Sequence, residues 1–176
     1  RMTKHELELC IDKYGKDIYS FCKHLTNNPL EADDLYQDTF LRAVVLKEKI
    51  EYGNNPKSYF LSIALRIWRN KKRKFAWRKR IADVQPIVDE RDAELGEALE
   101  LSLEERITSK EKDMLVRMAV SRLPEKLKIT VLLFYMEDLS TAQISEVMKI
   151  PVGTVLSRLH QARKILKKDL EDVLSE

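Results

Sequence analysis

Apolar residues recur at three- and four-residue intervals through most of the chain, and no stretch alternates long enough to make a convincing strand, so the pattern predicts an all-α fold. Thr3 and Glu6 have capping-box spacing for a first helix, in which Leu7, Ile11, Tyr14, Ile18, Phe21, Cys22 and Leu25 hold one face. Thr26-Asn27-Asn28-Pro29 stops that run, and Asn28 then caps a second helix whose first turn takes Pro29. Gly53-Asn54-Asn55-Pro56 breaks the chain again and starts a third helix carrying Tyr59, Phe60, Ile63, Ile67 and Trp68. Beyond residue 107, Thr108 and Glu111 repeat the capping-box spacing. Leu115, Met118, Ala119 and Leu123 follow as a helix ended near Pro124, and 127–136 forms the next one.

The last pair of helices has the pattern of a helix-turn-helix. Ser140 with Gln143 caps a short helix, and Ile144, Val147 and Ile150 give it and its turn an apolar underside. In the following helix Val155, Leu159, Ala162 and Leu166 share one face, while Thr154, Ser157, Arg158 and Gln161 share the opposite one. One face packs; the other carries hydroxyl, guanidinium and amide groups suited to phosphates and base edges. A merely solvated amphipathic helix has no need of that mixture on one side.

Composition narrows the class. A chain of 176 residues that is 44% hydrophobic can bury one moderate core or two small ones. Its longest apolar stretch, near 131–136, falls far short of the roughly 20 residues of a membrane span, and the N-terminus reads as a polar helix rather than a signal sequence. Cys10 and Cys22, the only cysteines, suit a reducing cytoplasm. A net charge of +3 hides a strong sorting of charge along the chain. Residues 66–80 hold nine cations and no acid, whereas 89–113 is dominated by Asp and Glu with scattered leucines, which reads as a linker with at most transient helix. The pattern therefore predicts an N-terminal domain over 1–82, a linker over 83–107 and a C-terminal domain over 108–176.

Little points to catalysis. The four glycines lie in no phosphate-cradling loop, and His5, His24 and His160 have no nucleophile partner in sequence. Cys22 and His24 lack a second ligand pair at zinc spacing, so they read as ordinary side chains. The acids Glu31, Asp33, Asp34 and Asp38 are better explained by the positive end of a helix dipole than by Mg²⁺. Neither an enzyme nor a cofactor is expected.

The basic run offers a second functional signal. Its cations would repel one another without a polyanion, and Tyr59, Phe60, Trp68, Phe75 and Trp77 place aromatic rings among them. That combination suits single-stranded DNA, with cations along the phosphates and a ring or small pocket for an unstacked base.

These residues together resemble the bacterial extracytoplasmic-function sigma factors, the two-domain promoter-specificity subunits of RNA polymerase. Tyr14-Gly15, Ile18-Tyr19, Glu31-Ala32-Asp33-Asp34-Leu35 and Gln37-Asp38-Thr39-Phe40-Leu41-Arg42-Ala43 are similar to sigma region two. Leu123-Pro124, Ile150-Pro151, Gly153-Thr154-Val155, Ser157-Arg158-Leu159 and Ala162-Arg163 are similar to sigma region four. The resemblance implies that Asp34, Gln37, Asp38, Phe40 and Leu41 meet the clamp helices of the polymerase largest subunit. It implies that Tyr59, Arg66, Arg69, Asn70, Arg73, Lys74 and Trp77 meet the minus-ten element. Ser140, Thr154, Ser157, Arg158, His160, Gln161, Arg163 and Lys164 would then meet the minus-thirty-five element. It further implies promoter DNA and an anti-sigma factor, often membrane-anchored, as partners. The chain departs from the family where Tyr59-Phe60 replaces the frequent Trp-Leu, where Arg66 and Asn70 stand at positions often held by Asn and Asp, and where Leu156 and Gln161 stand at often basic positions. Two other readings are an autonomous helix-turn-helix regulator, which leaves the basic-aromatic helix without a purpose, and a helical adaptor that binds only protein.

Overall fold

Thr3 opens α1 (Lys4–Thr26) with the reciprocal bonds of a capping box: its hydroxyl accepts from the Glu6 N–H at 3.2 Å, and the Glu6 carboxylate accepts from the Thr3 N–H at 2.7 Å. The helix ends where Asn27 enters the left-handed region at φ 51°, which asparagine tolerates better than most residues. Asn28 Oδ1 then accepts from the N–H groups of Leu30 and Glu31, and Pro29 fills the first position of α2 (Pro29–Leu46). A 3-10 turn over Lys47–Lys49 follows. In the computed structural model, which describes residues 1–50, 55–82 and 109–174, α3 is one helix from Pro56 to Ala82. Its 27 residues span about 40 Å, so α3 outruns the core and its second half projects into solvent.

Four rings lock these helices together. Tyr19 on α1 meets Tyr36 on α2 edge-on at 5.4 Å, Tyr36 meets Phe40 at 5.0 Å, and Phe40 meets Phe60 on α3 at 5.5 Å. Such geometry adds about 0.5–1.5 kcal/mol per pair beyond burial. Helices α1 and α2 approach closely at Gly15, where a Cβ would lie 2.9 Å from the Tyr36 hydroxyl.

The expected linker 83–107 and the Thr108 cap lie outside the described residues. The chain then forms α4 (Ser109–Ser121), α5 (Glu125–Val131), α6 (Thr141–Met148) and α7 (Val152–Leu174). The helix expected over 127–136 starts two residues earlier, directly after Pro124, and its last five residues, Leu132–Met136, widen into a π turn closed by the Glu137 N–H on the Leu132 carbonyl. No strand occurs among the described residues.

The two halves are not separate bodies. Ile129, Leu132, Leu133, Ile144, Val147, Met148, Val155 and Leu159 belong to the same buried cluster as Ile18, Phe21, Phe60 and Leu61, and α6 packs on α3. A smaller cluster of Leu123, Leu127, Val131 and Ala162 ties α5 to α7.

Both cysteines are buried free thiols, and burial pushes Cys22 up to about 12, with nearby Glu137 adding to the effect. A thiolate is the reactive species, so neither thiol should react with a disulfide reagent at pH 8 in native protein, and both should react once it is unfolded in guanidinium. Rapid native labelling at Cys22 would contradict this packing. His24 Nδ1 donates to the Ser20 carbonyl at 2.7 Å, and no three His, Cys, Asp or Glu side chains converge on a metal position among the described residues.

Candidate protein and nucleic-acid interfaces

Helix α2 buries Ala32, Leu35, Thr39, Phe40 and Ala43, which leaves its other side bare. On that side Asp34 and Gln37 are exposed, and Leu41 and Val45 are 66% and 70% exposed. Leu41, Val44 and Val45 sit at i, i+3 and i+4, which makes one apolar strip beside the acids. Phe40 corrects an expectation. Its ring is buried between Tyr36 and Phe60, so it supports this face from behind and cannot meet a partner. Asp38 accepts from Lys71 at 2.7 Å in a half-exposed pair, worth about 0–1 kcal/mol.

Helix α3 changes character midway. Phe60, Leu61, Ala64 and Leu65 are buried, Tyr59, Trp68 and Arg69 are half-buried, and Arg66, Asn70, Arg73 and Lys74 are exposed. The Lys72 ammonium lies 4.5 Å from the Trp68 ring centre, and Arg73 donates to Asn70 Oδ1 at 2.6 Å. Phe75 and Trp77 remain 64% exposed. Large rings left in water beside cations offer stacking faces.

A cleft of about 660 Å³ runs between α3 and α6. Arg42, Arg66, Arg69, Arg73 and Lys149 line it against a single acid, Glu146. Burial holds the Arg69 guanidinium below its usual value; Glu125 opposes that effect, and the neighbouring Arg158 and Arg73 add to it.

The helix-turn-helix is built as its pattern requires. The Ser140 hydroxyl accepts from the Gln143 N–H at 3.1 Å, and the Gln143 side chain accepts from the Ser140 N–H at 2.9 Å. The turn between α6 and α7 rests on Lys149 at φ 56°, braced by the Ser145 hydroxyl donating to the Ile150 carbonyl at 2.5 Å. Val155, Leu159 and Ala162 are buried and Leu166 is half-buried, while Ser157, His160, Gln161 and Lys164 are exposed and Thr154 and Arg158 are partly so. Arg163 is anchored. Its Nε donates to the Tyr135 hydroxyl at 2.7 Å, and its guanidinium lies 5.9 and 5.8 Å from the Phe134 and Tyr135 ring centres.

Residues 10–78 match the family described as Sigma-70 region 2, and residues 113–166 match Sigma-70, region 4. The chain belongs to the sigma-70 family. Among its relatives, the ECF RNA polymerase sigma factor SigW of Bacillus subtilis (strain 168) is 28% identical, with 93% of this chain and 88% of SigW covered. The RNA polymerase sigma-H factor of Pseudomonas aeruginosa is 29% identical over 100% of this chain and 92% of its own. The solved structure of the sigma factor RpoE in complex with the anti-sigma factor NepR, from Bartonella quintana, superposes with a TM-score of 0.69 at 19% identity, covering 96% of both chains. In sigma-70 terms, α1 to α3 carry region 2 and α4 to α7 carry region 4.

Three groups of residues on these faces escape a reading from pattern alone. Val44 and Val45 extend the Leu41 strip, Arg42 and Lys149 join the basic cleft, and Val152 and Leu156 stand 40% and 53% exposed on the recognition helix. Exposed Val and Leu on such a helix can meet a thymine methyl. For Val44, Val45, Val152 and Leu156 the only sequence signal is an apolar side chain placed off the packing stripe.

Proposed function

We propose that this sigma-70 family protein binds core RNA polymerase and directs promoter-specific initiation in the cytoplasm as a DNA-binding regulator. Three faces support this reading: the Leu41–Val44–Val45 strip for the polymerase clamp helices, the basic-aromatic half of α3 for the minus-ten element, and the outer face of α7 for the minus-thirty-five element. The observation that carries it is their presence on one chain, in the order of regions 2 and 4. An autonomous helix-turn-helix regulator would leave residues 10–78 without a task.

Mechanistically, the elements lie about 25 base pairs apart, or about 85 Å along straight B-DNA. The segment 83–107 can span at most about 85 Å when fully extended. Each half alone reads DNA weakly, but holding both on polymerase makes the second contact intramolecular. An anti-sigma factor fits as a further partner, since the sigma factor RpoE, which shares this fold, was solved in complex with the anti-sigma factor NepR.

Arg158 and Gln161 divide the work on α7. Arg158→Ala should weaken binding to all duplex sequences and reduce the salt slope by about one unit. Gln161→Ala should instead relax preference at one base pair by roughly 1–3 kcal/mol. Run-off transcription from a selected promoter and its single-base variants measures both. Undiminished base preference in the Gln161 variant removes that amide from readout.

A further inference from the structure

Two apolar side chains stand in water at the start of α7. Val152 is 40% exposed and Leu156 53%, and neither belongs to a buried cluster among the described residues. They sit at i and i+4, so they are neighbours on the helix surface, and a helical side chain leans toward the turn before it, which brings Leu156 back over Val152. The stripe that packs is Val155, Leu159 and Ala162; the pair lies on its flank.

Gly153 lies between them and is the unusual member. It is exposed, and its φ is not positive, so its backbone is one that any residue adopts. A Cβ added to it would meet no atom within 4 Å. At Gly15 the fold itself excludes a larger residue, because the Tyr36 hydroxyl would lie 2.9 Å from the new atom. Nothing of that kind holds at Gly153, and alanine is the better helix former. What the missing Cβ leaves is an open notch, bounded by Val152, by Leu156 at i+3 and by Ser157 at i+4.

The notch lies at the end of the helix that reaches bases. In a helix-turn-helix the first residues of the recognition helix meet base edges in the major groove. Gly153, Ser157, His160, Gln161 and Lys164 follow one another at helical spacing along one exposed ridge, so the notch continues the face assigned above to the minus-thirty-five element. Charge on this helix is uneven. Residues 152–157 carry none, whereas Arg158, Arg163, Lys164, Lys167 and Lys168 come later, which gives phosphate contacts to the later turns and leaves the first turn for bases. The Val152 and Leu156 side chains have neither donor nor acceptor for a base edge. The apolar group that a base pair shows in the major groove is the thymine 5-methyl.

We propose that Val152, Gly153 and Leu156 form a thymine-methyl pocket: the methyl of one thymine in the minus-thirty-five element enters the notch over Gly153 and is held between Val152 and Leu156. This deepens, and rests on, the reading of α7 as the helix that meets that element. It adds apolar readout to the hydrogen bonding of Gln161. It also gives the glycine a task, since an alanine Cβ would occupy the space the thymine methyl needs.

Holoenzyme binding to a selected promoter tests the pocket, with each thymine of the upstream element replaced in turn by deoxyuridine. That change deletes the methyl and keeps every hydrogen-bonding group of the base. Burying one methyl is worth about four-fold in affinity, so at least one thymine should show a loss of about that size. Leu156→Ala should weaken binding to the unmodified promoter and bring the thymine-to-uracil ratio at the same position to below about two. Gly153→Ala should do likewise while its melting temperature holds or rises, a combination that damage to the fold does not produce.

Uracil without effect at every position would overturn the pocket, and so would a uracil effect that survives in both variants. Leu156→Ala that loses affinity for core polymerase and keeps the ratio would assign the patch to a protein contact instead. A melting temperature lowered by several degrees in Gly153→Ala would show that the fold needs the glycine, and would remove it from the pocket. Promoter selection without uracil sensitivity sinks the pocket alone; a wild-type holoenzyme that selects no promoter sinks the reading of α7 with it.

Discussion

Leu41→Asp with Val45→Asp should weaken core-polymerase binding by about 10³-fold, because two buried aliphatic anchors lost at about 2 kcal/mol each amount to about three decades. Neither side chain touches the core, so the melting temperature should hold, with a stability change within about 0.5 kcal/mol. Surface-immobilised core polymerase measures the first effect and a thermal melt the second. Unchanged affinity would remove this strip from the interface. Asp38→Lys is a milder companion, since it breaks a half-exposed pair with Lys71 and places a cation beside the same strip.

Phe60→Ala should cost about 3–5 kcal/mol of stability, the range for truncating a buried phenylalanine. The ring has no exposed surface and ends the ladder from Tyr19 through Tyr36 and Phe40, so the loss leaves a cavity where α1, α2 and α3 meet. In a chain of 176 residues that lowers the melting temperature by about 6–20 °C. Trp77→Ala on the same helix should do the reverse: no measurable change in melting temperature, but about 1–3 kcal/mol less affinity for single-stranded DNA if a base stacks there. Differential scanning calorimetry and an oligonucleotide titration on both variants read out the contrast. A stable Phe60 variant with poor DNA binding would reverse the roles given to the two rings.

Part of the molecule is legible in the amino-acid sequence. Thr3 with Glu6, Asn28 with Pro29 and Ser140 with Gln143 cap their helices as their spacing requires, because a cap involves residues within one turn. The inward stripe Val155, Leu159 and Ala162 is equally plain, since a helical period places it on one side whatever it packs against. The apolar side chains outside such stripes are not. Phe40 and Leu41 are adjacent and both apolar, yet one is core and the other is surface.

The sequence by itself determined that the chain is helical, most of the helix ends, the charge sorting and the amphipathic faces, all of which depend on interactions over a few residues. The tertiary structure alone decided which aromatic rings are core, that the halves share one hydrophobic cluster, and that Lys57 meets Glu137 eighty residues away. The physical reason is that burial and desolvation belong to a pair of packed surfaces, and neither surface carries in its own periodicity the identity of the other. Glu137 shows it most clearly: in the sequence it is an acid after a hydrophobic helix, and only packing against α3 and α1 makes it a buried charge facing one cation.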